Sequence, residues 1–124
     1  MSSVLLVEDD ADTRMTLRDL LTGEGFVVHT ARDGQHALQL LERMEPPDLI
    51  LLDYQMPVMD GKQFLSIMRR IPKLQPVPVV ILSAATREWS GAHLEVVEVL
   101  SKPLDPDLLL STVNRILRSQ SAAS

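Results

Sequence analysis

Apolar residues gather along this chain in short runs, separated by longer amphipathic stretches. The runs are Val4–Val7, Phe26–His29, Leu49–Leu52, Val79–Leu82 and Val96–Leu100. They are mostly continuous rather than alternating, which predicts strands covered on both faces, as in a parallel sheet. The stretches between them carry helical stripes. Thr16, Leu17, Leu20 and Leu21 share one face, and Ala37, Leu38, Leu41 and Met44 another. Phe64, Ile67, Met68 and Ile71 form a third stripe, and Leu109, Val113, Ile116 and Leu117 a fourth. Gly23 fits a C-cap after the first helix, Asp33 an N-cap before the second, and Pro106 the first turn of the last. The pattern fails between Ser83 and Val96. Arg87–His93 has the length of a short helix, but Gly91 interrupts it and no stripe forms. A helix there is expected to be short or irregular.

Five strands alternating with helices, joined by right-handed crossovers, give an α/β fold: a doubly wound five-stranded parallel sheet with helices on both faces. The chain shows no internal repeat, low-complexity segment or interdomain linker. Residues 1–118 are expected to form one domain, with "SQSAAS" at 119–124 a frayed, disordered tail.

Composition narrows the function. The 124 residues suit a single domain with one hydrophobic core, and 45% of them are hydrophobic, which weighs against disorder. The net charge of −5 opposes direct nucleic-acid binding, where a basic face supplies most of the affinity. The absence of cysteine excludes disulfides, a thiol nucleophile and a cysteine zinc site. No apolar run approaches the roughly 20 residues that span a bilayer, and "MSSVLLVEDD" meets acid too early for a signal peptide. A cytoplasmic domain with no membrane partner is the expectation.

Open sheets of this kind work at the carboxyl ends of their strands. There the chain places Glu8-Asp9-Asp10 after the first strand, Asp53 after the third, Ser83 after the fourth, and Ser101-Lys102-Pro103 after the fifth. Singly, each has an ordinary explanation: helix capping for the acids and the serine, a turn for Asp53, a solvated turn for Lys-Pro. Together they converge if the strand order is 2-1-3-4-5, which makes the first and third strands neighbours. Glu8, Asp9 and Asp53 then crowd one another, at about 4 kcal/mol per pair for charges about 4 Å apart at an effective dielectric of about 20. Nothing structural requires that cost. A hard divalent cation relieves it, and oxygen ligands with room for water suit Mg²⁺. A metal, a strand-end carboxylate, an ammonium and a hydroxyl are what phosphoryl transfer onto Asp53 needs.

The motifs "VLLVEDD", "LILLDYQMPVMDG", "VVILSA" and "LSKPL", in that order, resemble the receiver domain of two-component response regulators over essentially the whole chain. The resemblance implies a flavodoxin-like fold, with Asp53 as phosphoacceptor. It implies Asp9 as a direct Mg²⁺ ligand, Glu8 acting through water, and Gln55 completing the metal site through its backbone carbonyl. Asp10 becomes the first loop residue, although "EDD" leaves that register ambiguous. Ser83 matches the switch hydroxyl, Lys102 the family lysine, and Pro103 a proline often preceded by a cis bond. Met56-Pro57 and Asp60-Gly61 fit the loop after the phosphosite, with Gly61 making a turn that no Cβ would allow. The implied partners are a histidine kinase or phosphotransfer protein and a downstream protein target. A small phosphodonor can replace the first. The resemblance further implies that phosphorylation turns Ser83 inward and rearranges the surface made by the fifth strand and its flanking helices.

Two departures stand out. Val99 occupies the position where the family usually carries Tyr or Phe as its second switch element. The stretch from Ser83 to Lys102 is short by roughly one helical turn and reads "HLEVVEVL" where a small-residue step is usual. Within it, Trp89 fits either a buried anchor or a partner contact. Both departures favour the rival reading of a pseudo-receiver, which binds a partner without phosphorylation-driven switching. A haloacid-dehalogenase-type phosphatase needs a second Asp where Gln55 stands, and a nucleotide-binding module needs a glycine-rich loop that "LLVEDDADTR" lacks. His29, His36 and His93 have no ligand spacing, and the six methionines are scattered as core filler.

Overall fold

The computed structural model describes residues 2–56, 58–84 and 98–123. In chain order these form β1 (Ser3–Val7), α1 (Ala11–Gly23), β2 (Val27–Ala31), α2 (Gly34–Arg43), β3 (Leu49–Asp53) and α3 (Gly61–Met68). A 3-10 turn (Pro72–Leu74), β4 (Val79–Ser83), β5 (Glu98–Ser101) and α4 (Pro106–Ala123) follow. The helix expected between Arg87 and His93, with Trp89, lies outside the described residues.

All five strands pair in parallel, in the order β2-β1-β3-β4-β5. The continuous apolar runs behave as parallel-sheet strands should: β3 and β4 are buried at every position. Alternate residues divide between two cores. Leu5, Val7, Ile50, Leu52 and Ile81 face Ala37 and Leu41 of α2 and Phe64 and Met68 of α3. Val4, Leu6, Leu49, Leu51, Val80 and Leu82 face Leu17 and Leu21 of α1 and Leu109, Val113, Ile116 and Leu117 of α4. The sheet is thus doubly wound, as expected.

Three boundaries move for physical reasons. The strand expected at Phe26–His29 runs Val27–Ala31 instead, because β2 is an edge strand with alternating exposure, which lets it continue past the apolar run through Thr30 to Ala31. The first helix ends at Gly23, but the left-handed residue after it is Gly25, at φ +95°. Gly25, rather than Gly23, therefore turns the chain into β2. Helix α4 continues past Arg118 to Ala123, through the segment expected to fray. Ala122 and Ala123 favour helix, and each residue added to an existing helix adds a hydrogen bond. Asp33 and Pro106 begin their helices as the sequence suggested.

Candidate functional site

The strands carry their ladders one residue beyond the apolar runs, so the chemistry-bearing residues belong to the sheet or sit directly on its edge. Asp53 pairs with Leu82, and Ser83 with Ser101. The Glu8 amide donates to the Ala31 carbonyl at 3.0 Å, prolonging the β1–β2 ladder. The Lys102 amide likewise donates to the Ser83 carbonyl at 2.9 Å. The backbone thereby fixes the start of each functional side chain.

Carboxylate oxygens of Glu8, Asp9 and Asp53 lie within 4.8 Å of one another. Glu8 is 1% and Asp53 3% exposed, while Asp9 is open to solvent. The Lys102 ammonium stands 3.3 Å from both Glu8 Oε1 and Asp53 Oδ1; Lys102 directly follows β5 and is joined to Pro103 by a cis peptide bond. Ser83, 1% exposed, ends the strand beside Asp53. The Gln55 amide donates to Asp53 Oδ1 at 3.3 Å, and its side chain is exposed. All six residues singled out in the sequence therefore stand at one sheet edge.

Asp10 does not join them. Its carboxylate accepts from the Thr13 amide at 2.9 Å and hydroxyl at 2.6 Å, making it the N-cap of α1. These bonds hold its pKa below the ordinary value. The ambiguity of "EDD" is resolved: Glu8 and Asp9 face the site, and Asp10 starts the helix.

The electrostatics reflect the crowding. Burial first, and then the neighbouring Asp53, push the Glu8 pKa up to about 8. Burial and Asp53 raise that of Asp9 as well. Burial alone works to lower Lys102, but the charges of Glu8 and Asp53 outweigh it and hold the ammonium above its usual value. Among the described residues Lys102 pairs with two of the three carboxylates, so the cluster has room for more positive charge. Oxygen donors of this number and spacing fit a hard divalent cation.

Two features of the site escaped the sequence reading. Arg14, on the first turn of α1, donates to the Glu8 carbonyl at 2.8 Å and the Asp9 carbonyl at 3.4 Å. Its only signal was an arginine in the helical turn behind an acidic pair. Val58 adopts φ +67° at 73% exposure, a left-handed backbone that a β-branched residue rarely enters. Gly61 plays a different part from the one expected. It is the first residue of α3, and a Cβ there would lie 2.9 Å from Tyr54 Cα. Close approach to the residue after Asp53, rather than a special turn, requires glycine.

A family model described as the response regulator receiver domain matches residues 4–114. The chain belongs to this family. An uncharacterized 14.6 kDa protein of Leptolyngbya boryana is 38% identical, over 90% of this receiver domain and 87% of that protein. The transcriptional regulatory protein CpxR of Escherichia coli is 36% identical over 95% of this chain, but the match spans 50% of CpxR. For a protein-glutamate methylesterase of Archaeoglobus fulgidus (41% identical, 77% of this chain) it spans 27%, so the resemblance is to a part of these longer proteins. Among solved structures, the chemotaxis response regulator CheY4 of Vibrio cholerae superposes with a TM-score of 0.85 at 29% identity, covering 94% of this chain and 98% of that one. The receiver domain of a sensor histidine kinase from Pseudomonas aeruginosa, solved with a magnesium ion coordinated in its active-site cleft, gives 0.82 at 26% identity. It covers 94% of this chain and 97% of that one. A receiver domain is a signalling module rather than a turnover enzyme.

Proposed function

We propose that this receiver accepts a phosphoryl group on Asp53 and thereby changes its affinity for a protein partner. The convergence of the Glu8, Asp9 and Asp53 carboxylates within 4.8 Å of one another, with the Lys102 ammonium 3.3 Å from Glu8 and Asp53, carries the reading. A carboxylate oxygen of Asp53 attacks phosphorus; the new O–P bond forms as the bond to the donor breaks, and the donor keeps the electron pair. Asp53 is held for this by the Gln55 amide and Lys102. Lys102 starts on the carboxylates and is placed to follow the charge onto the phosphoryl oxygens, while Ser83 donates its hydroxyl to one of them. Glu8, Asp9, Asp53 and the Gln55 carbonyl would hold Mg²⁺, which when bound supplies the charge that offsets the incoming phosphoryl group.

The donor fits a histidine kinase or phosphotransfer protein acting in the cytoplasm. A groove of about 350 Å³, lined by Lys102 together with Leu17, Leu20 and Leu104, offers an apolar seat on the α1 side of that lysine. Val99 favours the second reading, a pseudo-receiver. It is half-buried on β5 and packs against the α2–α3 core, with no aromatic ring to reorient.

Incubation with Mg²⁺ and acetyl phosphate, followed by intact mass measurement, decides between them. A gain of one phosphoryl group, absent from Asp53→Asn and blocked by chelator, is the expected result. No gain, under conditions that label a control receiver, would sink the phosphoacceptor reading and leave the pseudo-receiver.

A further inference from the structure

We infer that Arg14 is a positioning residue for the divalent cation, acting through the backbone of the acidic pair; this rests on the metal reading proposed above. Beyond Val7 the chain leaves the sheet, and few bonds hold the two residues that must present carboxylates together. Glu8 has its amide on Ala31. Asp10 is committed to capping α1. Between these anchors, the successive carbonyls of Glu8 and Asp9 both turn toward one guanidinium nitrogen of Arg14, at 2.8 and 3.4 Å. Arg14 is itself fixed, since its amide donates to the Asp10 carbonyl at 2.8 Å within the first turn. The guanidinium thus ties α1 to the peptide planes from which both side chains depart.

What Arg14 leaves alone is as informative. A guanidinium on the helix that follows an acidic pair could be used to pair with one of its carboxylates. Among the described residues Arg14 makes no salt bridge, and Lys102 serves Glu8 and Asp53 instead. Spending the arginine on carbonyls keeps the carboxylate oxygens available to an incoming cation and fixes their starting points. Groups that orient ligands in this way commonly change metal affinity by about 10–100-fold when removed.

The sign of the effect separates positioning from simple charge. Arg14 is positive, so by Coulomb's law alone its removal should tighten binding of a second cation. Positioning predicts the reverse. Mg²⁺ titrated by calorimetry into wild type, Arg14→Ala and Arg14→Lys provides the test, with metal-free melting temperatures recorded beside it. Arg14→Ala should bind Mg²⁺ about 10-fold more weakly, with a fall of several degrees in its metal-free melting temperature from the lost hydrogen bonds while the chain stays folded at the titration temperature. Arg14→Lys, which keeps the charge but can reach the carbonyls with a single ammonium, should fall between. If Arg14→Ala does not fold, Arg14→Lys alone decides: weaker binding supports the inference, and affinity equal to wild type overturns it. Equal or tighter binding by a folded Arg14→Ala overturns it as well. Failure of wild type to bind Mg²⁺ would instead overturn the metal reading, and this inference with it.

Discussion

Glu8 is the residue on which the site's chemistry turns. It is almost fully enclosed, faces Asp53, and keeps its proton up to about pH 8 when no metal is bound. The ordinary value is 4.5, so between 4.5 and about 8 the folded chain holds a proton that the unfolded chain has released. Folding then takes up a proton, and the stability of the metal-free protein must fall as pH rises through that window. Asp9, also shifted upward, adds to the fall. Lys102 does not oppose it there, because a raised lysine contributes its full stabilisation below its ordinary value of 10.5 and loses it only above. In the presence of chelator, the melting temperature is expected to drop between about pH 4.5 and about pH 8. A flat or rising profile would contradict the enclosed position of Glu8. Most of the candidate residues were legible from sequence, because Glu8, Asp53 and Ser83 directly follow apolar runs that end at the working edge. Asp9 and Lys102 stand one residue further on, whereas Gln55 came only from the family resemblance. Arg14 was not legible, since a side chain that bonds carbonyls needs no particular residue opposite it and leaves no pattern of paired types.

Among the elements, the loop from Asp53 to α3 is where local rules bend. Its end is conventional: Asp60 caps α3 and exchanges hydrogen bonds with Gln63 in a complete capping box. Its middle is not, because Val58 sits at φ +67° with most of its surface in water. Left-handed backbone costs an L-residue with a Cβ about 1–2 kcal/mol, and an exposed valine recovers little by packing. Val58→Gly should therefore raise stability by about 0.5–1 kcal/mol after the extra entropy of glycine in the unfolded chain is counted. Gly61→Ala should do the opposite. Its new Cβ would meet the Tyr54 backbone at 2.9 Å, and relief requires moving the residue next to Asp53. A loss of about 1–3 kcal/mol is expected in denaturant unfolding. Opposite signs for two changes three residues apart would confirm that crowding, not turn geometry, reserves the second position for glycine. Sequence alone marked Gly61 but not its reason, and gave Val58 no mark at all. Backbone strain depends on how a loop is pinned at both ends, which residue types between the ends do not record.

At the scale of the molecule, the doubly wound parallel sheet was legible because apolar strands demand cover on both faces and crossovers have one hand, whereas the order 2-1-3-4-5 entered as a condition that the structure meets. The edge strand and the last helix were read less well, since neither is governed by an apolar run alone. The same architecture that sets the order forces three carboxylates onto one edge, so the fold carries a destabilising feature at its working end. A ligand that relieves this feature must stabilise the whole chain, because it binds the folded state and has no site in the unfolded one. At Mg²⁺ about 100 times its dissociation constant the gain is about 2.7 kcal/mol, or a rise of about 10 °C in melting temperature for a domain of this size. The gain should grow with pH, since ligation competes with the proton that Glu8 otherwise retains. Asp53→Asn provides the internal control. With one carboxylate removed, the metal-free chain loses part of its repulsion and should melt higher than wild type, while the rise on adding Mg²⁺ should shrink. A variant that melted lower without metal, or responded to Mg²⁺ as fully as wild type, would show that Asp53 stands apart from the other two carboxylates. The convergence of the strand ends would then have no energetic consequence.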